Sequence, residues 1–323
     1  MKAIVNTAPG KLEWRDWPTP EPEPGQVRIR TAACGICATD LEMIKGWNRT
    51  GFPSIPGHEW SGVVDKVGRG GDAALVGQPC VGDNFLSDGG EVGFEHPGGY
   101  AEFLITEAKN LHVLPSGFPL RDAALIEPLA VCVRGMRRWH IDNGGSALIL
   151  GDGPIGLILL LLLKRNRTRG VVLVGGRRRR LAVARDLGAD QTVNYHDCPD
   201  LVEHLSGLKA APYQYVVEAT GTCSGMRTAI EAVARAGRIL VIGNYGDGRA
   251  DFRWNDLLIR ELELIGSCAS AGAWPEAVRL AVSQEVPLER LVSHCFPARA
   301  FAEAFQLMKG SRDIVKAVLE WTS

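Results

Sequence analysis

The spacing of apolar positions changes near Glu127. Upstream, runs such as VRIRTAA (Val27–Ala33) and WSGVVDKVG (Trp60–Gly68) alternate between Gly- and Pro-rich turns, which predicts short strands. PTPEPEPG (Pro18–Gly25) interrupts them as an exposed, extended connector. Downstream, ALIL (Ala147–Leu150), VVLV (Val171–Val174), YVVEA (Tyr215–Ala219), RILVIG (Arg238–Gly243) and LELIGS (Leu262–Ser267) are short apolar runs that predict strands. Helical spacing lies between them, over Pro154–Lys164 with Pro in its first turn, about Arg178–Leu187, and Met226–Ala236. Strands alternating with helices imply βαβ units and a parallel sheet. Two amphipathic helices, Pro275–Ser283 and Ala298–Met308, and a strand KAVLE (Lys316–Glu320) follow.

A chain of 323 residues, 46% hydrophobic and 23% charged, suits a globular protein of about two domains. The net charge of −1 removes any general electrostatic case for nucleic acid or an anionic membrane. The arginines around Arg165–Arg180 lack the interleaved aromatics of a nucleic-acid surface. MKAIVNTAPGKLEWRDW has no apolar h-region, so no signal peptide is expected. The longest apolar run, Ile155–Leu163, is far short of the roughly 20 residues of a bilayer span and predicts a buried helix. Eight cysteines are scattered along the chain, with only Cys34 and Cys37 close together. That is no disulfide framework; it suits reduced thiols and a cytoplasmic location.

GDGPIG (Gly151–Gly156) follows a predicted strand and opens a predicted helix, the context in which GxGxxG signals dinucleotide binding. Its glycines permit a tight turn, backbone approach to a pyrophosphate, and helix-on-strand packing. The helix start then offers amide groups to phosphate. At the end of the next strand an acid would hold the ribose 2′-hydroxyl of NAD. Gly175 and Gly176 stand there instead, followed by Arg177–Arg180. The expectation is that no carboxylate repels a 2′-phosphate and that guanidinium groups bind it, favouring NADP(H) over NAD(H). Arg179 and Arg180 are expected on the solvated face of the following helix.

PGHEW (Pro56–Trp60) places a histidine beside a glutamate at a turn into a strand. Cys34 and Cys37 (CGIC) lack a second pair to close a zinc knuckle, and they sit outside a thioredoxin-like strand–helix context. Cys37, His58 and a carboxylate, Glu59 or Glu127, could instead form an open zinc site with one position for water or substrate.

CGICATD (Cys34–Asp40), PGHEWSG (Pro56–Gly62), GGYAEF (Gly98–Phe103), IEPLAV (Ile126–Val131), GDGPIG and RDIVKAVLE (Arg312–Glu320) occur in this order along nearly the whole chain. In this the sequence resembles the medium-chain, zinc-dependent alcohol dehydrogenases. The GHE and EPL signatures resemble the polyol and threonine dehydrogenase branch. GHEWSG and the short length are similar to bacterial dehydrogenases of aminocyclitols such as 2-deoxy-scyllo-inosamine.

The resemblance implies an α/β fold with a GroES-like β-rich catalytic domain from residues 1–126 and 272–323, and a Rossmann domain with a doubly wound parallel sheet from residues 127–271. It implies one catalytic Zn2+ held by Cys37, His58 and Glu59, with Glu127 approaching directly or through water. Cys34 is not a ligand and reads as a small buried residue. His96, His112, His140, His196, His204 and His294 match no ligand motif. The coenzyme site is expected to comprise Gly151, Gly153, Pro154, Ile155, Gly156, Gly176, Arg177, Arg178 and Thr220.

The implied reaction is oxidation of a secondary alcohol (polyol, sugar or aminocyclitol) through a zinc-bound alkoxide, with hydride passing to NADP+ and Thr39 taking the proton first. Oxidation of an amino alcohol, as in threonine 3-dehydrogenases, and a non-catalytic nucleotide-binding relative are the alternatives. Two features depart from the family. Cys80–Pro97 holds one cysteine where many relatives carry four, so no structural zinc is expected. Glu42 stands where many relatives place a proton-relaying histidine. Trp47, Asn48 and Arg49 lie on a loop that could meet a small, polar, hydroxylated substrate. The family association implies a homodimer or homotetramer.

Overall fold

The computed structural model describes residues 1–47, 49–141, 144–311 and 313–321. Asn48, and Arg312 at the head of RDIVKAVLE, lie outside the described residues. The chain divides into two compact units, Met1–Glu127 with Trp274–Ser323, and Pro128–Ala273.

The first unit begins with the hairpin β1 (Lys2–Ala8) and β2 (Lys11–Asp16), then β3 (Gln26–Gly35), α1 (Ala38–Gly46), β4 (Glu59–Val67), β5 (Pro79–Gly82), β6 (Phe103–Glu107), β7 (Leu111–Val113) and α2 (Leu120–Ala123). Helix α3 (Ile126–Trp139) carries the chain into the second unit. That unit continues with β8 (Ser146–Leu150), α4 (Pro154–Arg165), β9 (Arg169–Gly175), α5 (Arg178–Asp186), β10 (Gln191–Asn194), α6 (Leu201–Ser206), β11 (Tyr213–Glu218), α7 (Cys223–Ala232), β12 (Val233–Val241), α8 (Trp254–Arg260) and β13 (Glu263–Gly266). The chain then returns to the first unit through α9 (Trp274–Val282), β14 (Val292–Pro297), α10 (Phe301–Gly310) and β15 (Lys316–Glu320).

In the second unit the strand order is β10-β9-β8-β11-β12-β13, every pair parallel. This is the doubly wound arrangement, with its topological switch between β8 and β11. Inward residues such as Leu148, Val172, Val216 and Ile239 are fully buried, as strands covered on both faces require. Helix α4 is buried from Gly156 to Leu163, so its all-round apolar run is a core helix.

The first unit is built on a seven-stranded sheet, β14-β15-β3-β4-β5-β7, with β6 also paired to β3. Alternate residues of β3 pack inward with Ile4, Trp60, Leu104 and Leu319. The register sets Gly35 opposite both Glu59 and Val318, which brings the chain's last strand against the PGHEW turn.

Three local expectations differ from the structure. Cys37 caps a helix, α1, within a region expected to contain only strands. The helix expected over Met226–Ala236 ends at Ala232, and β12 begins at Val233, a β-branched residue in extended backbone. Ala236, at φ 52°, then bends that strand. The helix expected from Ala298 starts as a 3₁₀ turn and becomes α-helical at Phe301.

Candidate active site

The turn that delivers His58 depends on Gly57. Its φ is +102°, and a Cβ there would lie 2.7 Å from the Tyr100 ring and 2.9 Å from Cys34 Sγ. Only glycine fits both the backbone and the space. His58 therefore precedes the strand while Glu59 opens β4, so the two neighbours are not held to opposite faces by the pleat. Cys37 reaches the same place from the start of α1. One ligand atom from each of Cys37, His58 and Glu59 lies within 4.8 Å of the others, and among the described residues these form a single such group.

The surroundings fix this triplet. Asp40 is fully buried; its Oδ2 accepts from Cys37 N at 2.8 Å and from the Tyr100 hydroxyl at 2.9 Å. Its Oδ1 faces His58 Nδ1 at 3.2 Å, without a well-aligned hydrogen bond. Burial works against the Asp40 charge, but His58, the Cys37 amide and the Tyr100 hydroxyl hold the carboxyl below its ordinary range. Burial likewise opposes charge on His58, yet Asp40 and Cys37 raise it well above the usual imidazole range in the absence of metal. On the far side, Lys316 Nζ lies 2.6 Å from both oxygens of Glu59 and donates to Ile36 O at 3.4 Å. Burial disfavours the ammonium, but Glu59, Cys37 and Glu127 together raise its pKa.

Glu127, in the first turn of α3, is not part of the close triplet. Burial pushes its carboxyl up to about 7, His58 and Lys316 oppose the rise, and Glu59 and Asp40 reinforce it. The Thr39 hydroxyl accepts from Cys37 Sγ at 3.7 Å. Glu42, by contrast, is exposed and paired with Lys45 at 2.8 Å. Arg49 is committed to Glu91 and Glu95 and covers the Phe94 ring at 4.5 Å. Phe94 in turn packs on His58 at 5.0 Å, with Trp47 at its edge. Cys34 is buried in the core, as expected.

In the second unit, Gly151–Gly156 joins β8 to α4. A Cβ on Gly156 would meet Gly151 O at 2.1 Å, whereas one on Gly153 would meet only the Arg180 guanidinium, at 3.9 Å. Pro154 and Ile155 open the helix. At the switch point, β11 ends in the buried Glu218, which accepts from Thr220 N at 2.9 Å, Gly221 N at 3.2 Å, the Tyr245 hydroxyl at 2.5 Å and the Thr220 hydroxyl. Thr220 is thus pinned beside the glycine turn's strand, since β8 and β11 are neighbours.

Residues 23–116 match the alcohol dehydrogenase GroES-like domain, and residues 154–283 match the zinc-binding dehydrogenase family. The chain is 33% identical to D-altritol 5-dehydrogenase of Agrobacterium fabrum (strain C58), over 92% of its own length and 93% of the relative's. The chain belongs to the zinc-dependent medium-chain polyol dehydrogenases. It is also 28% identical to human sorbitol dehydrogenase, over 95% of this chain and 92% of that one. An alcohol dehydrogenase of Escherichia coli CFT073, solved with NADH, has a similar fold, with a TM-score of 0.93 at 25% identity over 99% of both chains. As a member of this family the chain is an oxidoreductase.

A zinc ion and a nicotinamide nucleotide are the cofactors of such dehydrogenases, and the residues present fit both. Thiolate, imidazole and carboxylate donors suit zinc, and the Asp40 carboxylate faces the imidazole from behind. The open Gly153 and the amide groups at the start of α4 suit a pyrophosphate.

Two sequence expectations at the coenzyme end are corrected. A carboxylate does stand beside Gly175 and Gly176: Asp152, the second residue of GDGPIG, accepts from Gly176 N at 3.0 Å and Arg177 N at 2.8 Å. Arg180 is not solvated; its side chain is 12% exposed and faces Asp152 at 3.7 Å, because one turn of α5 brings it back over the glycine turn. Arg178 and Arg179 are exposed. Asp40, Lys316, Asp152 and Glu218 escaped the sequence reading. The three-residue spacing of Cys37 and Asp40, a helix-capping distance, was the one available signal.

Proposed function

We propose that this chain oxidises a secondary alcohol of a polyol, sugar or aminocyclitol with NADP+, or runs the reverse reduction. The observation that carries the proposal is the approach of Cys37, His58 and Glu59 donors to within 4.8 Å, backed by Asp40 and Lys316. When bound, zinc would supply Lewis-acid polarisation of an alcohol oxygen, and a nicotinamide nucleotide would supply the hydride acceptor. Cys37, His58 and Glu59 hold the metal, one ion per chain, and Glu127 lines its approach. Thr39, beside Cys37 Sγ, takes the alcohol proton. With Glu42 turned to Lys45 and solvent, the proton leaves Thr39 by another acceptor. Gly151–Gly156, Gly176 and Thr220 cradle the nucleotide. Arg177 and Arg180 both face Asp152, and Arg178 is exposed at the start of α5, so cationic groups exceed this carboxylate among the described residues, which supports NADP(H) over NAD(H).

The similarity to sorbitol and altritol dehydrogenases supports a small, hydroxylated substrate. No helix of the described residues is long and apolar enough to cross a membrane, and eight free thiols suit the cytoplasm. A homodimer or homotetramer is supported by Trp254, Leu258 and Ile259, exposed on α8 just before the edge strand β13. A panel of polyols, amino sugars, aminocyclitols and threonine, each with NADP+ and NAD+, tests the proposal. Turnover of a polyol or aminocyclitol with NADP+ is expected. Turnover of threonine alone would overturn the substrate class, and a clear preference for NAD+ would overturn the coenzyme assignment.

A further inference from the structure

The Asp152 side chain occupies the volume that a side chain at position 175 would fill. A Cβ built on Gly175 would lie 2.4 Å from Asp152 Cβ and 2.5 Å from its Oδ2. Gly175 ends β9, the second strand of the parallel sheet, where the ribose-binding acid of a Rossmann domain ordinarily stands. Here the carboxylate arrives instead from the glycine turn. It is 4% exposed, and both of its oxygens are engaged. Oδ2 takes the Gly176 and Arg177 amides, while Oδ1 takes Arg177 Nη1 at 3.1 Å with Arg180 Nη1 at 3.7 Å. The cations that would bind a 2′-phosphate therefore already face an internal anion. Burial, with Arg177 alongside, lowers Arg180 to about 10, so this guanidinium is poorly hydrated and strongly drawn to anions.

We propose that Asp152 is the coenzyme-selecting carboxylate of this chain: it stands in for a strand-end acid and sets how strongly Arg177 and Arg180 favour a 2′-phosphate over a free ribose 2′-hydroxyl. The inference rests on the nucleotide-binding role proposed for the second unit. A 2′-phosphate must compete with Asp152 for the two guanidinium groups and approach a like charge. A ribose hydroxyl meets no like charge and finds one acceptor position left on Oδ1, where Arg180 stands at 3.7 Å. Asp152 thus holds back a preference that the arginines alone would make steeper.

Adenosine 2′,5′-bisphosphate and adenosine 5′-monophosphate differ only in the 2′-phosphate, so calorimetric titration of the full-length protein with each isolates this term. The measured quantity is the ratio of the monophosphate Kd to the bisphosphate Kd. Asp152→Asn keeps the size and one acceptor, and it is expected to raise the ratio by about tenfold, the effect of removing a like charge at close range under partial screening. Arg180→Gln is expected to lower the ratio, because bisphosphate affinity falls more than monophosphate affinity. A cluster that merely braces the β9–α5 turn would alter stability in both variants and leave the ratio at its wild-type value, which would overturn the proposal. Should Asp152→Asn not fold, an unchanged ratio in Arg180→Gln would overturn it equally. Failure of both ligands to bind the wild-type protein would overturn the nucleotide reading and this inference with it. Binding of both with a fixed ratio sinks the inference alone.

Discussion

Lys316 Nζ lies 2.6 Å from each oxygen of Glu59, and both side chains are almost wholly buried. The pair joins residues 257 positions apart, and the ammonium holds the carboxylate proposed as the third zinc donor. Removing one partner of a buried pair strands the other charge. Lys316→Met is expected to destabilise the metal-free protein by about 3–5 kcal/mol, and saturating zinc is expected to recover part of that loss by giving Glu59 a cation. Urea denaturation with zinc and with chelator measures both. Equal losses in the two conditions would show that Glu59 does not meet the metal.

Gly35 makes room for that carboxylate. A Cβ there would lie 2.1 Å from Glu59 Oε2. Gly35→Ala is expected to displace Glu59 and lower zinc content below one ion per chain, while adenosine 5′-monophosphate binding by the second unit stays intact. Full zinc occupancy in a folded variant would contradict the placement of Glu59.

Asp40 stands behind the imidazole proposed as a zinc ligand. Asp40→Asn keeps the shape but loses the charge behind His58, and zinc affinity measured by chelator competition is expected to fall roughly 10–100-fold. Wild-type affinity in the variant would make Asp40 a helix cap only.

The elements that carry local patterns were legible in the sequence: the alternating strands of the first unit, the parallel βαβ run, and the glycine turn before α4. So was the convergence of His58 and Glu59 on one place, because Gly57 marks a turn. What stayed hidden depends on pairings between distant segments. Lys316 stood within a motif recognised for its resemblance, yet nothing local says that β15 pairs with β3 and brings this lysine to Glu59. Asp152 read as the variable position of GxGxxG, and its role follows only from Gly175 leaving space across the sheet. Arg180 looked solvated because a run of four arginines carries no sign of which one folds back. The end of α7 was misplaced because the extended Val233 at its C-cap stops the helix before the apolar pattern does.

Glu127 gives a pH signature in metal-free protein. Its folded carboxyl is pushed up to about 7 from an ordinary 4.5, chiefly by burial. Between those values the folded state holds a proton that the unfolded chain has released, so stability falls as pH rises and is level above about 7. At roughly 1.4 kcal/mol per pK unit the fall is at most about 3–4 kcal/mol. Glu127→Gln is expected to remove this decline, as read from urea midpoints across the range with chelator present. An unchanged decline would assign it to other groups. A bound divalent cation favours the carboxylate and suppresses the effect.

Zinc content is the most direct test of the metal centre. Inductively coupled plasma analysis of wild type and Cys37→Ala, purified alike and dialysed to constant metal, should find one zinc per chain in the first and none in the second. Equal zinc in both proteins, or two ions in the wild type, would contradict the assignment of Cys37, His58 and Glu59 as the one metal site.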